Sequence, residues 1–253
     1  MINLAAVKNL YGLIGFPLSH SFSKGYFAEK FIKEEIIDSY YDTFPLENIA
    51  QFPSLIQQHA NLKGLNVTIP YKQQIIPFLD TVDEAATTIG AVNTIKFSNG
   101  ILSGHNSDAF GFEQSLLPLI NQTINQAIIL GTGGASKAVA YVLNQLNIPF
   151  IYLSRNANHQ QSIFSYDEFN QNNNLADYLL VVNTTPLGMY PNEQSCPSLN
   201  YNQVSKNHIF YDLVYNPTET VFLANAKSKG ATTKNGLEML YLQAEKSWQI
   251  WNA

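Results

Sequence analysis

The run Ala127-Ile-Ile-Leu-Gly-Thr-Gly-Gly-Ala-Ser136 constrains the fold more than any other stretch of the chain. An apolar segment breaks into a glycine turn, and a small-residue stretch at helical spacing, Lys137 to Leu146, follows directly. Strand, glycine turn and helix in that order make the βα unit that receives a dinucleotide pyrophosphate. Gly131 permits the sharp turn, Gly133 lets backbone approach the phosphates, and the N–H groups of the new helix meet their charge. Position 136 carries Ser where the usual fingerprint has Gly or Ala. A second strand ends Ile151-Tyr-Leu-Ser-Arg155. NAD-binding units place an acidic ribose ligand there; here stands Arg155, the only arginine in the chain. A planar guanidinium suits a phosphate, so this position favours NADP over NAD.

The glycine turn lies in the middle of a 253-residue chain, so a separate unit must precede it. That first part alternates strand-like and helix-like segments: strands at 10–15, 39–44 and 65–69, helices at 22–36, 47–59, 71–78 and 82–88, then a hairpin of 91–97 and 101–103 around Asn99-Gly100. The second part repeats the rhythm with strands at 126–131, 148–154, 178–183 and 208–213 and a helix at 134–146. The Asn-rich stretch 170–174 reads as a solvated loop. Residues 236–251 place Leu237, Leu240, Tyr241, Ala244, Trp248 and Trp251 on one helical face. Alternating strands and helices predict an α/β fold with largely parallel, helix-covered sheets. The expected division is a substrate domain of 1–104 completed by helix 237–253, a Rossmann-like dinucleotide domain of 105–236, a hinge near Gly104 and a cleft between the domains.

Composition excludes several functions. A formal charge of -5 and the lack of a Lys/Arg cluster argue against nucleic acid as a partner. The single cysteine, Cys196, excludes an internal disulfide and a Cys-based metal site, and fits a reducing cytoplasm. No apolar run approaches the ~20 residues that span a bilayer.

Polar constellations mark the strand ends of the first part. Gly15-Phe-Pro-Leu-Ser-His-Ser-Phe-Ser-Lys24 gathers hydroxyls before a helix, where one serine would serve as an N-cap but several with His20 make a binding loop. In Leu65-Asn-Val-Thr-Ile-Pro-Tyr-Lys72, a strand would put Asn66 and Thr68 on one face, Pro70 would end it and Lys72 would start a helix. Gly90-Ala-Val-Asn93-Thr precedes Asn106-Ser-Asp108, whose aspartate could cap a helix. Taken singly, each has an ordinary structural explanation; a surface lysine is usually just solvated. Together with a dinucleotide they suit hydride transfer to or from a polyhydroxylated substrate.

In this order, these motifs, with Asn183-Thr-Thr-Pro-Leu-Gly-Met189, Tyr211-Asp-Leu-Val-Tyr-Asn-Pro217 and Gly236-Leu-Glu-Met-Leu-Tyr-Leu-Gln-Ala244, resemble those of shikimate dehydrogenases. The resemblance implies NADP-linked, reversible reduction of 3-dehydroshikimate to shikimate in a monomer or homodimer, without metal. It implies that Ser21 and Ser23 bind the substrate carboxylate with help from Tyr215, that Asn66, Thr68, Asn93 and Gln243 hold the ring hydroxyls, and that Lys72 and Asp108 form the catalytic pair. It places the pyrophosphate on Gly131, Gly133, Gly134, Ala135 and Ser136, the 2′-phosphate on Ser154, Arg155 and Asn156, and the nicotinamide near Thr184, Gly236 and Met239. His20 is expected to orient rather than to donate a proton. The family often carries Asn-Arg-Thr and then a second basic residue at the phosphate clamp; this chain departs with Ser154-Arg-Asn156 and then His159, so NADP preference rests on one arginine. Two alternatives stand beside this reading: an NAD-preferring quinate/shikimate dehydrogenase, against which Arg155 argues, and a non-catalytic NADP-binding sensor, which would not need Lys72 and Asp108.

Overall fold

The computed structural model describes residue 4 and residues 7–18, 22–120 and 123–253. His20 and the expected carboxylate ligand Ser21 lie outside the described residues. The chain forms two compact units, one of residues 1–107 with 244–253, the other of residues 108–243. The division falls three residues after the expected Gly104 and inside the C-terminal helix rather than at residue 236. Close packing of Gly111 accounts for the latter: a Cβ there would stand 2.6 Å from the Met239 carbonyl and 3.1 Å from Gln243, so the first turns of the terminal helix group with the second unit.

In the first unit the strands are β1 (Asn9–Gly15), β2 (Ser39–Pro45), β3 (Leu62–Val67), β4 (Thr81–Val82), β5 (Thr94–Ser98) and β6 (Ile101–His105). The helices are α1 (Phe22–Lys33), α2 (Phe52–Gln58) and α3 (Glu84–Ile89). The sheet order is β2-β1-β3-β5-β6-β4. It is mixed rather than largely parallel, because β5 pairs antiparallel with both β3 and β6. The expected hairpin is present, with Asn99 and Gly100 at φ 52° and 82°, as a tight two-residue turn requires. Residues 71–78 are turns ending in a 3-10 segment at Ile76–Phe78, so Lys72 does not begin a helix. The predicted helix 47–59 begins as a 3-10 turn capped by Asn48, and α2 starts only at Phe52, where Pro53 needs no N–H partner.

One face of this sheet buries an apolar cluster around Leu10, Ile14, Phe52, Leu65, Ile75 and Ile95. A second cluster is aromatic: Tyr11, Phe27, Phe31, Tyr41 and Trp251, with Trp248 packed against it. Phe27 stacks on Tyr41 at 4.6 Å and Trp251 on Tyr11 at 5.0 Å, and the Trp251 indole donates to the Ile95 carbonyl at 3.0 Å. Both tryptophans belong to α8 (Leu237–Asn252). Its buried stripe is Met239, Gln243, Ala244, Ser247 and Trp251, whereas Leu237 and Tyr241 are exposed. Polar residues therefore occupy part of the stripe that hydrophobicity alone would have assigned to them.

The second unit begins at Asp108, the second residue of α4 (Ser107–Leu116). Its strands are β7 (Ala127–Leu130), β8 (Phe150–Ser154), β9 (Ile163–Ser165), β10 (Leu180–Asn183), β11 (Ile209–Asp212) and β12 (Thr232–Lys234). Between them lie α5 (Gly134–Gln145) after β7, α6 (Tyr166–Asn172) after β9 and α7 (Val221–Lys227) after β11. These strands pair with one another in parallel, in the order β12-β11-β10-β7-β8-β9, and Asn158 adds an isolated antiparallel bridge to Ile163. That is the doubly wound order of dinucleotide-binding sheets, with the topological switch between β7 and β10. β7, β10 and β11 are fully buried, as parallel strands covered on both faces must be.

Candidate active site

At the carboxyl ends of β7, β8 and β10 lies a cavity of about 370 Å³. Gly131, Thr132, Gly133, Ser154, Arg155, Tyr166 and the segment Thr184–Leu187 line it. Gly131 has φ +97°, and a Cβ there would stand 2.9 Å from Thr185 Cγ2, so both conformation and space demand glycine. Gly133 is the N-cap of α5, and a Cβ on it or on Gly134 would meet no protein atom within 4 Å. The turn thus leaves open space before a helix N-terminus, as an anion-binding cradle does. Ser136 is buried and donates to the Gly133 carbonyl at 2.6 Å, bracing the turn from inside. Ala135 is half-buried beside it in the first helical turn. Thr184 closes the opposite wall, donating through Oγ1 to the Leu130 carbonyl at 2.7 Å.

Arg155 is exposed and is the only cationic residue among the described residues that line the cavity. Exposed Asn156 follows it and does not line the cavity. His159 is turned to Glu168, at 3.3 Å, and to the ring of Phe164. These residues fit a dinucleotide carrying a phosphate on its adenosine ribose: a glycine cradle for the pyrophosphate, and one guanidinium for the additional charge. Gly236 has a packing reason of its own, since a Cβ would lie 2.1 Å from the Leu213 carbonyl oxygen. Met239 is buried, and neither residue lines this cavity.

A network behind these loops escaped the sequence reading. Asp212, fully buried at the end of β11, accepts from Asn183 Nδ2 at 2.9 Å, Val214 N at 3.0 Å and Thr220 Oγ1 at 2.6 Å. Asn183 in turn accepts from the Thr185 backbone and hydroxyl. One carboxylate therefore fixes both the cavity segment after β10 and the loop that carries exposed Tyr215. Burial pushes the Asp212 carboxyl up to about 6, against the opposing pull of its hydrogen-bond donors.

In the first unit, Asn66 lies within β3's buried run, which ends at Val67, and Thr68 lies just beyond the strand, its N–H extending the ladder to the Ile14 carbonyl at 2.9 Å. Lys72 is half-buried, and its carbonyl accepts from Val92 N at 2.7 Å. Asn66 and Asn93, expected as substrate ligands, are both buried and already bonded to protein. Tyr41 donates to Asn66 Oδ1 at 2.9 Å, and Asn66 Nδ2 donates to Ser247 Oγ at 2.9 Å. Asn93 Oδ1 accepts from Ser107 N at 2.7 Å, at the first residue of α4, while its Nδ2 donates to Ser107 Oγ at 3.0 Å. Ser23 hydrogen-bonds the phenol of Tyr41, whose pKa burial pushes far up, so this tyrosine stays neutral. Gln243 is buried on α8 and donates to the Leu240 carbonyl at 3.0 Å. Tyr41 and Ser247 lie outside the motifs of the sequence and Thr94 and Ser107 within two of them, and only the tertiary structure brings the four together.

The doubly wound sheet with its glycine cradle, attached to a polar α/β unit, defines a dinucleotide-binding α/β protein of two units. Residues 13–95 match the model of the shikimate dehydrogenase substrate binding domain. The shikimate dehydrogenase (NADP(+)) of Carboxydothermus hydrogenoformans is 39% identical over 257 residues, covering 96% of this chain and 91% of its own. The crystal structure of the Aquifex aeolicus shikimate dehydrogenase superposes with a TM-score of 0.84 at 35% identity, covering 100% of this chain and 94% of that one. A shikimate 5-dehydrogenase from Thermus thermophilus, solved in complex with NADP(H) and shikimate, gives a TM-score of 0.82 at 27% identity, covering 96% and 92%. The chain belongs to the shikimate dehydrogenase family. No helix among the described residues is long and apolar enough to cross a membrane, and no group of His, Cys, Asp and Glu among them could hold a metal ion.

Proposed function

We propose that this chain is an NADP-dependent shikimate dehydrogenase, interconverting 3-dehydroshikimate and shikimate on the route to aromatic amino acids, in the cytoplasm. The observation that carries the cofactor assignment is Arg155 on the wall of the glycine-cradle cavity, where NAD-specific units hold a carboxylate. The substrate assignment rests on family membership together with the polar set of the first unit. Bound NADPH supplies the hydride.

The protein's own residues do the rest. Gly131, Gly133, Gly134, Ala135 and Ser136 would hold the pyrophosphate of NADP through backbone N–H groups, and Ser154, Arg155 and Asn156 its 2′-phosphate. Thr184, Gly236 and Met239 would hold the nicotinamide. Ser21, Ser23 and Tyr215 bind the substrate carboxylate, and Asn66, Thr68, Asn93 and Gln243 hold its hydroxyls. As the ketone becomes an alcohol, negative charge develops on its oxygen; Lys72 stabilises that charge and donates the proton. Asp108 orients the ammonium.

General acid help of this kind contributes about 10²–10⁴ in rate. Lys72→Ala is therefore expected to lower kcat by that order with a much smaller change in KM, because the interaction matures in the transition state. A mutant with near-normal kcat would remove Lys72 from the mechanism.

A further inference from the structure

We propose that Ser247, on the terminal helix, is a positioning residue for substrate binding: it holds Asn66 directly, and the Asn93–Ser107 pair through a buried hydroxyl relay. The proposal rests on the dehydrogenase reading above and concerns how its substrate site is kept in shape.

Ser247 is fully buried on α8 between Ala244 and Trp251, where an alanine would satisfy packing alone. Burying a hydroxyl is unfavourable unless its hydrogen bonds are met. Here three partners surround the Oγ: Asn66 Nδ2 at 2.9 Å, Thr94 Oγ1 at 2.8 Å and Ser107 Oγ at 3.1 Å. Thr94 and Ser107 also touch each other at 3.2 Å, and each reaches Asn93 Oδ1. On the far side, Tyr41 and then Ser23 continue the chain from Asn66.

The relay joins Ser23, Asn66 and Asn93, three side chains assigned to the substrate, through Tyr41, Ser247, Thr94 and Ser107, four that are not. It also reaches the residue immediately before Asp108. Each carboxamide has rotational freedom that a lone backbone contact would not remove, and bonding both its ends selects one orientation. Ser247 is the member contributed by the terminal helix, 140 positions or more along the chain from each of its partners. The helix therefore does more than cover the aromatic cluster.

Steady-state kinetics and thermal melting of the full-length protein with shikimate and NADP test this, using Ser247→Ala, Thr94→Val and Thr94→Ser. Losing a buried hydroxyl from the relay should lower kcat/KM for shikimate about tenfold in Ser247→Ala and in the near-isosteric Thr94→Val, at temperatures well below melting. The KM for NADP should stay within about twofold, and Thr94→Ser, which keeps the hydroxyl, should recover most of the loss. A lower melting temperature with kcat/KM unchanged would make the relay merely structural and overturn the proposal. Equal loss towards shikimate and NADP would overturn it as well, since a global disturbance would then be the cause. If Ser247→Ala fails to fold, the Thr94 pair decides alone. Wild-type protein without shikimate turnover would refute the dehydrogenase reading itself, whereas active wild type with indifferent variants would refute only the relay.

Discussion

Arg155→Ala is the substitution whose effect the structure bounds most tightly. Arg155 is the only cationic side chain among the described residues lining the cavity, and His159 is turned to Glu168. Whatever charge stabilisation the 2′-phosphate receives on this wall comes from one guanidinium. A hydrogen bond to a charged group contributes about 1.5–3 kcal/mol when sheltered. Arg155 is exposed, so water and salt screen it, and about 1–2 kcal/mol is the reasonable share. That corresponds to a rise of roughly 5–30-fold in the KM for NADP. NAD lacks the phosphate, and its KM should move by less than about twofold. The assay is an initial-rate titration of each cofactor at saturating shikimate, at low and at high ionic strength. The gap between wild type and mutant should narrow as salt rises, because the interaction is solvent-facing. Parallel shifts for both cofactors, or none for NADP, would refute the phosphate role and leave Arg155 as a surface charge.

Two further expectations concern stability. Trp251→Ala removes a side chain that is 6% exposed, stacked on Tyr11 and hydrogen-bonded to the Ile95 carbonyl, and should destabilise the protein by about 3–5 kcal/mol in denaturant titration; a loss below about 1 kcal/mol would show that the aromatic cluster re-forms without it. Asp212 has a folded pKa of about 6, above its ordinary value of 3.8, so the folded state holds its proton more tightly than the unfolded state does. Its contribution to stability is then fully present below pH 3.8 and falls as pH rises to about 6. Asp212→Asn should therefore gain on wild type across that window, measured by denaturant titration at a series of pH values. A difference independent of pH would contradict the raised pKa.

What the sequence disclosed depended on how local the determinants were. The glycine turn, the buried strands of the second unit and the Asn99-Gly100 hairpin have local causes, and all stand where expected. β9, α6, α7 and β12 were missed because each is short, with no more than seven residues to carry a period. Residues 71–78 looked helical from apolar spacing, but the backbone there closes in turns held by tertiary bonds such as Val92 N to the Lys72 carbonyl. Alternation put Asn66 on one face of its strand without saying what covers that face. Ser247 and Tyr41 do, from positions far away in sequence. The same limit hid the role of Asp212, a motif residue whose partners Asn183 and Thr220 are assembled by strand pairing and helix capping. Motifs marked the residues that would meet ligands; the side chains that hold those residues still became visible only in the fold.

The measurement that bears most directly on the central claim is turnover by the purified protein with shikimate or quinate, each with NADP or NAD, followed by reduced-cofactor absorbance, with Lys72→Ala in parallel. Rapid reduction of NADP by shikimate alone, lost in the mutant, is the expected result. Preference for quinate with NAD would contradict both substrate and cofactor assignments. NADP binding without turnover in any combination would contradict catalysis itself and leave a sensor.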